Sequence, residues 1–181
     1  DADFNLFVMD EGNERITKWA PGASEGIIVA GGNGTGDDLN QFNGPQSFTM
    51  DNNGAFYISD TWNSRILKWE ADADEGSVVA GGNGAGSALN QLKWPMDVQV
   101  DENGDLFIAD LYHLGNKSSR IVKWEIGASQ GVVIDSTTTS WNLVKDGNNI
   151  FFTGSNGVKK MIIRFRKVFI YYWKITNIHH K

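Results

Sequence analysis

Apolar side chains in this chain come in short bursts of four or five residues, parted by glycine-rich turns. Arg65-Ile66-Leu67-Lys68-Trp69 and Arg120-Ile121-Val122-Lys123-Trp124 interleave basic and apolar positions, as a half-buried strand does. Runs rich in aromatic and β-branched residues, 55–59 and 106–109, predict further strands, as do 47–50 and 97–100, which enter just after Pro45 and Pro95. Strands are also predicted over 27–30, 77–80 and 132–134. Asp51-Asn52-Asn53-Gly54 and Asp101-Glu102-Asn103-Gly104 read as tight turns whose glycine is free to take positive φ.

These elements recur. At an offset of 50 residues, Arg15-Ile16-Thr17-Lys18-Trp19 falls on Arg65–Trp69 and Val29-Ala30-Gly31-Gly32-Asn33-Gly34 falls on Val79–Gly84. Asn5–Asp10 aligns with Ala55–Asp60, Pro45 with Pro95, Asp51 with Asp101 and Asp60 with Asp110. A third copy carries five extra residues within 111–119. Four short antiparallel strands per unit, labelled a to d in chain order and repeated in tandem, predict an all-β fold built as the blades of a β-propeller, each burying its faces on its neighbours. The expected division is a partial first blade over 1–44, a second over 45–94, a third over 95–139 and a degenerate partial fourth over 140–165. A basic, aromatic tail follows over 166–181.

The segments Pro45–Asp51, Asn52–Asp60 and Asn63–Ile66, with their counterparts in the other copies, resemble the NHL repeat family. That resemblance implies a propeller of about six blades, so the chain is expected to hold about half a ring, as a fragment or as one of two copies that complete each other. Residues 167–181 share no feature with the repeat. Ten of those fifteen are Phe, Tyr, Ile, Asn or Lys, a composition that reads as translated non-coding sequence, the alternative being a true basic strand or a membrane-surface segment.

Composition narrows the chemistry. The chain has 181 residues, 21 Gly, 3 His and no Cys, which removes disulfides, cysteine zinc sites and thiol nucleophiles. Seven Lys or Arg and no acidic residue fall in 158–181, whereas nine basic residues stand against all 22 acidic ones in 1–157. An acidic body lacks the electrostatic footprint of a nucleic-acid reader. No apolar stretch is long enough for a membrane span, and the sequence leaves localisation open.

Several motifs invite a chemical reading and favour a structural one. Gly31–Gly36 looks like a phosphate loop, but an acidic, non-helical stretch follows it and the motif repeats at Gly81–Gly86. Asp101–Asp105 has the wrong glycine position for a calcium loop. The pairs Asp10/Arg15, Asp60/Arg65 and Asp110/Arg120 recur once per unit, as structural ion pairs would, and Trp19, Trp69 and Trp124 recur as inter-blade packing.

Gln46, Asp97 and Asn142 are expected at early positions of strand a, around the mouth of the channel. Trp62 is expected in an exposed turn and His113 in the inserted loop of the third blade. With no catalytic constellation and no cofactor or metal site in view, the resemblance implies a non-catalytic binding or scaffold module that recognises a protein partner, with self-association completing the ring. The alternatives are the substrate-recognition part of a RING–NHL ubiquitin ligase, a propeller hydrolase or lyase (the lactonase type surrounding a channel calcium with Asp, Asn and Glu, the related peptide-amidating lyase using a zinc site built from His), and an RNA-binding NHL domain.

Overall fold

A computed structural model describes residues 1–114, 117–136, 142–147, 149–154, 157–164 and 167–172. Its strands form four antiparallel sheets, each built from consecutive segments of chain. Blade I has three strands, β1 (Leu6–Asp10), β2 (Arg15–Trp19) and β3 (Ile27–Gly31). Blade II has β4 (Pro45–Met50), β5 (Phe56–Asp60), β6 (Arg65–Trp69) and β7 (Ser77–Gly81). Blade III has β8 (Trp94–Val100), β9 (Leu106–Leu114), β10 (Lys117–Trp124) and β11 (Val132–Asp135), and blade IV has β12 (Leu143–Asp146), β13 (Asn149–Gly154), β14 (Gly157–Arg164) and β15 (Lys167–Tyr172). The fold is all-β, of β-propeller type, with the ring open.

Two segments differ from the expected layout. The extra residues of the third unit lengthen a hairpin instead of forming a loop: β9 runs on to Leu114, with Leu114 opposite Lys117 and Leu111 opposite Ser119. Added residues that keep pairing across the hairpin gain ladder hydrogen bonds that a loop would leave to water. At the other end, Lys167–Tyr172, within the segment set apart as a tail, is the fourth strand of blade IV and pairs with β14 from Lys159↔Tyr172 to Arg164↔Lys167. Its run of Val168, Phe169, Ile170, Tyr171 and Tyr172 has the β-branched and aromatic content that strands favour.

Strand a of blades II, III and IV lies inward, and strand d outward. The inner strands β4, β8 and β12 touch one another in succession, while outer-strand residues Ile27, Ile28, Val78, Val132 and Val133 are exposed. Between blades lie the apolar layers that hold the stack. Phe7 and Met9 of blade I pack on a cluster of Phe56, Ile58, Leu67 and Trp69, with Phe7 edge-on to Phe56 at 5.3 Å. Tyr57 and Ile66 meet Val98, Leu106, Ile108 and Trp124, and Phe107, Ala109 and Ile121 meet Leu143, Ile150 and Phe152. Trp69 and Trp124 are each buried and donate their indole N–H to the carbonyls of Ala73 and Ala128 at 2.9 Å.

The repeated Asp/Arg pairs fasten each blade to the linker that enters it. Arg65 Nε donates to Asp60 at 2.7 Å, and its other nitrogens donate to the carbonyls of Asp37, Asp38 and Gln41 in the linker between blades I and II. Asp60 in turn accepts from the backbone N–H of Asn43 at 2.8 Å. Blade III repeats the arrangement: Arg120 holds Asp110, Gly86, Ser87, Ala88 and Gln91, and Asp110 accepts from the amides of Lys93 and Trp94. The glycine motif lies in these linkers. Gly31 takes φ 69°, and a Cβ there would fall 2.4 Å from the carbonyl of Glu14. No helix follows, so the motif is a turn and not a phosphate cradle.

Burial differs sharply among the pairs. The Arg65 and Asp60 side chains are 7% and 0% exposed, whereas Arg15 and Asp10, which grip no linker, are 35% and 30% exposed. Removing one member of a buried pair strands the other charge, at a cost of about 3–5 kcal/mol, while an exposed pair contributes about 0–1 kcal/mol. Asp60→Ala is therefore expected to lower the urea-unfolding free energy by about 3–5 kcal/mol, and Asp10→Ala by less than about 1 kcal/mol. Equal losses in the two variants would contradict the linker-clamp account.

Candidate functional site

The five residues singled out from the sequence fall at one end of the inner strands, but in different roles. Gln46 is exposed and donates its side-chain N–H to Glu11 Oε1 at 2.7 Å, so it joins blade II to the 3-10 turn Glu11–Asn13 of blade I. It does not share a register position with Asp97. Pro45 and Pro95 pair with Asp60 and Asp110, and Ser47 and Asp97 then pair with Ser59 and Ala109, after a register shift that leaves Gln46 out of the ladder. Such a shift re-aims a side chain at the start of a strand.

Asp97 is 6% exposed and joins three blades. Its Oδ1 accepts from Ser47 Oγ on β4 at 2.5 Å and from its neighbour Val98 N–H at 2.8 Å, while Oδ2 accepts from Leu143 N–H on β12 at 2.6 Å. Burial pushes the Asp97 carboxyl above the usual aspartate range, and the bonds from Leu143, Ser47 and Val98 oppose that rise. Asn142 is exposed and immediately precedes this contact.

Trp62, in the 3-10 turn Thr61–Asn63, is 61% exposed and edge-on to Trp94 at 6.1 Å. The indole rests on Gly44, where a Cβ would fall 1.8 Å from it. Lys93 Nζ lies 5.1 Å from the centre of the Trp94 ring. His113 belongs to β9 rather than to a loop, and its side chain lies outside the described residues. The residues that sequence reasoning missed are Glu11, Trp94 and Ser47. Glu11 stands where blade II carries Thr61, and Trp94 where blade II carries Gly44, so departure from the repeat was the available signal for both.

Among the described residues, no group of three or more His, Asp or Glu is placed to hold a metal ion. The Asp97 oxygens are taken up by protein donors, so these residues do not fit the carboxylate cage around a channel calcium that lactonase-type propellers use. Among the described residues, no helix is long and apolar enough to cross a membrane.

Residues 42–69 match the NHL repeat family model, so the chain carries an NHL repeat across β4 to β6. No curated protein sequence matches the chain significantly. Many solved structures share the fold, among them the following two. One is XC5397 from Xanthomonas campestris, described as a gluconolactonase, with a TM-score of 0.65, 12% identity, and coverage of 92% of this chain and 57% of that one. The other is a streptogramin B lyase, with a TM-score of 0.56, 13% identity, and coverage of 94% and 52%. The chain spans little more than half the length of each. These neighbours correct the expectation of a non-catalytic scaffold, since both are enzymes and neither is a scaffold or a ligase. The physical reason is that a blade repeat specifies how sheets stack, whereas chemistry resides in side chains at the ends of the inner strands, which the repeat leaves free to vary.

Asp97→Asn tests the inter-blade tie. An amide presents an N–H toward one of the donors that the carboxylate now accepts, leaving a buried group unpaired. The expected loss is about 1–3 kcal/mol of unfolding free energy in urea titration. An unchanged unfolding midpoint would show that Asp97 does not bind the three blades together.

Proposed function

We propose that this chain forms part of a propeller enzyme of the hydrolase or lyase kind, whose substrate lies over the inner ends of β4, β8 and β12. The observation that carries this reading is the match of nearly the whole chain to the gluconolactonase fold. The identity of 12% does not carry substrate with it, so the choice of chemistry rests on the side chains at that end.

Glu11 and Gln46 supply the acid–base element. The amide of Gln46 holds Glu11 Oε1 at 2.7 Å, which orients the carboxylate and leaves Oε2 to accept a proton from water or from a substrate C–H. Water activated in this way attacks an ester carbonyl in a hydrolase, while proton abstraction next to a leaving group starts an elimination in a lyase. The exposed indole of Trp62 offers a flat apolar surface for one side of a ring, and Lys93 brings a positive charge beside Trp94. A ring ester of a polyhydroxy acid fits this combination of a flat surface, a base and a cation.

The test is a pH-stat assay of gluconolactone opening, with the spontaneous rate subtracted. Turnover above background is expected, with Glu11→Gln lowering kcat about a hundredfold and Trp62→Ala raising KM with a smaller effect on kcat. Equal rates with and without protein, or an unaffected Glu11→Gln variant, would overturn the reading.

A further inference from the structure

Blade III enters its first strand with two residues that its own repeat does not call for. At the 50-residue offset, Asn43-Gly44-Pro45 of blade II stands against Lys93-Trp94-Pro95 of blade III. The fold asks only for backbone here. Asn43 N–H donates to Asp60 Oδ1 at 2.8 Å, and Lys93 N–H donates to Asp110 Oδ1 at 2.8 Å. The Lys93 carbonyl is also tied, accepting from Ser64 Oγ at 2.7 Å, and Trp94 N–H donates to Asp110 Oδ1 at 3.1 Å. Blade II meets the same clamp with an asparagine and a glycine, so stacking requires neither the ammonium nor the second indole. The pinned backbone fixes where both side chains start.

Trp62 completes the group from the neighbouring blade. Its backbone N–H donates to the Asn43 carbonyl at 3.1 Å, and its indole rests against Gly44, where any Cβ would collide with it. The ring is thereby held in place while 61% exposed, and Trp94 meets it edge-on with 66° between the planes. Two indoles set at such an angle form the walls of an open corner that takes a ring-shaped ligand. Lys93 Nζ stands 5.1 Å from the centre of the Trp94 ring, on one flank of that corner. Contacts run from Lys93 and Trp94 through Trp62 to Gly44, whose N–H donates to Glu14 at 3.1 Å. Two residues further on, Gln46 holds Glu11. The strip therefore carries an ammonium at its blade III end and carboxylates at its blade I end.

We infer that Trp62, Trp94 and Lys93 form a subsite for an anionic group, carboxylate or phosphate, carried by the substrate ring at the carbon farthest from the carbonyl that Glu11 serves. The inference rests on the lactone-opening reading above for that orientation, and it makes the substrate class a sugar lactone with a second acid group. Charge selects the orientation. Residues 1–157 carry nine basic side chains against 22 acidic ones, so the field of the body repels anions and a substrate anion needs a local cation. Turned the other way, the anion would face Glu11 and Glu14. Turned this way, it meets the ammonium while the ring lies on Trp62. A lysine suits either anion, because it acts as a point charge and does not demand the paired oxygens that an arginine fork matches.

Glucose, glucuronate and glucose 6-phosphate share one ring and differ only at C6, which is neutral, a carboxylate or a phosphate ester. Equilibrium binding to the full chain, followed by tryptophan fluorescence at low ionic strength, is expected to be about tenfold tighter for the anionic sugars than for glucose. A preference confined to one of them supports the subsite and identifies its anion. The preference is expected to shrink in about 0.5 M salt, to disappear in Lys93→Met and to persist in Lys93→Arg, which keeps the charge. Equal affinity for the three sugars, no binding of any of them at about 50 mM, or a preference that survives Lys93→Met would overturn the inference. Lactone opening separates it from the enzymatic reading. Anion-selective binding without turnover of gluconolactone or its 6-phosphate sinks the enzymatic reading and leaves the subsite standing, whereas gluconolactone turnover without anion-selective binding sinks the subsite alone.

Discussion

Everything in this stack of sheets depends on how a blade holds the segment of chain that leads into it. Arg65 and Arg120 use a planar guanidinium to satisfy one carboxylate and several linker carbonyls at once, a task that a lysine ammonium on a flexible stem does less well. The partner aspartate completes the exchange by accepting linker amides. Linkers that cross from an outer strand to the next inner strand carry many backbone groups that neither sheet can pair, and the Asp/Arg unit pairs them. With the linkers fixed, Phe42 and Leu92 are fully buried, and Phe42 lies edge-on to Trp69. In blade I the same pair, Arg15 with Asp10 at 2.8 Å, makes no linker contact among the described residues and is 35% and 30% exposed, in contrast to the buried pairs of blades II and III.

A second constraint operates nearer the axis. The inner strands of neighbouring blades converge, so side chains there meet across blades as well as along strands. Asp97 exploits that convergence by accepting from β4, from its own strand and from β12. A buried carboxylate in such a place costs desolvation, and the charged form is retained only where several donors converge on it. The matching positions of blades II and IV carry no such carboxylate: they are Ser47 and the exposed Asn142. The inner ends of the blades are thus where this chain departs from its own repeat.

Legibility in the sequence followed that division. Positions fixed by the repeat were readable: the Arg-Ile-x-Lys-Trp strand, the Asp-x-x-Gly turn and the Asp/Arg pairs each recur, and residues 42–69 carry the NHL repeat. Periodicity located most strands of blades I and II to within a residue or two, because strand ends are set by turn residues that also recur, whereas in blade III β8 and β10 begin three residues earlier and β9 runs five further. What the sequence hid were features without a second copy to compare. Gln46 is a different case, set against Asp97 although the 50-residue offset places Asp97 on Ser47, and the register shift that follows each leading proline recurs in blades II and III. The lengthened β9–β10 hairpin looked like a loop, and β15 looked like an appendage because its residues match no earlier strand d. The turn at Asp1–Asn5, in which Asp1 Oδ1 accepts the amides of Asp3 and Asn5, escaped notice because Phe4 stands where the turns of blades II and III have Gly54 and Gly104.

The same division explains why function was misjudged from the repeat. A recurring residue answers a packing requirement that recurs, so an argument that begins from repetition selects for structural roles. Among the described residues, the Glu11–Gln46 pair, the Trp62–Trp94 shelf and Asp97 each occur once. Each also lies where inner-strand ends of neighbouring blades approach, so its geometry depends on residues about 30 to 50 positions apart in the chain. Such contacts have no local sequence signature; they exist only once the linkers are clamped and the blades are stacked. In a propeller the informative residues for chemistry are therefore the exceptions to the repeat at the inner strand ends, and the resemblance carried by the repeat itself speaks to stability.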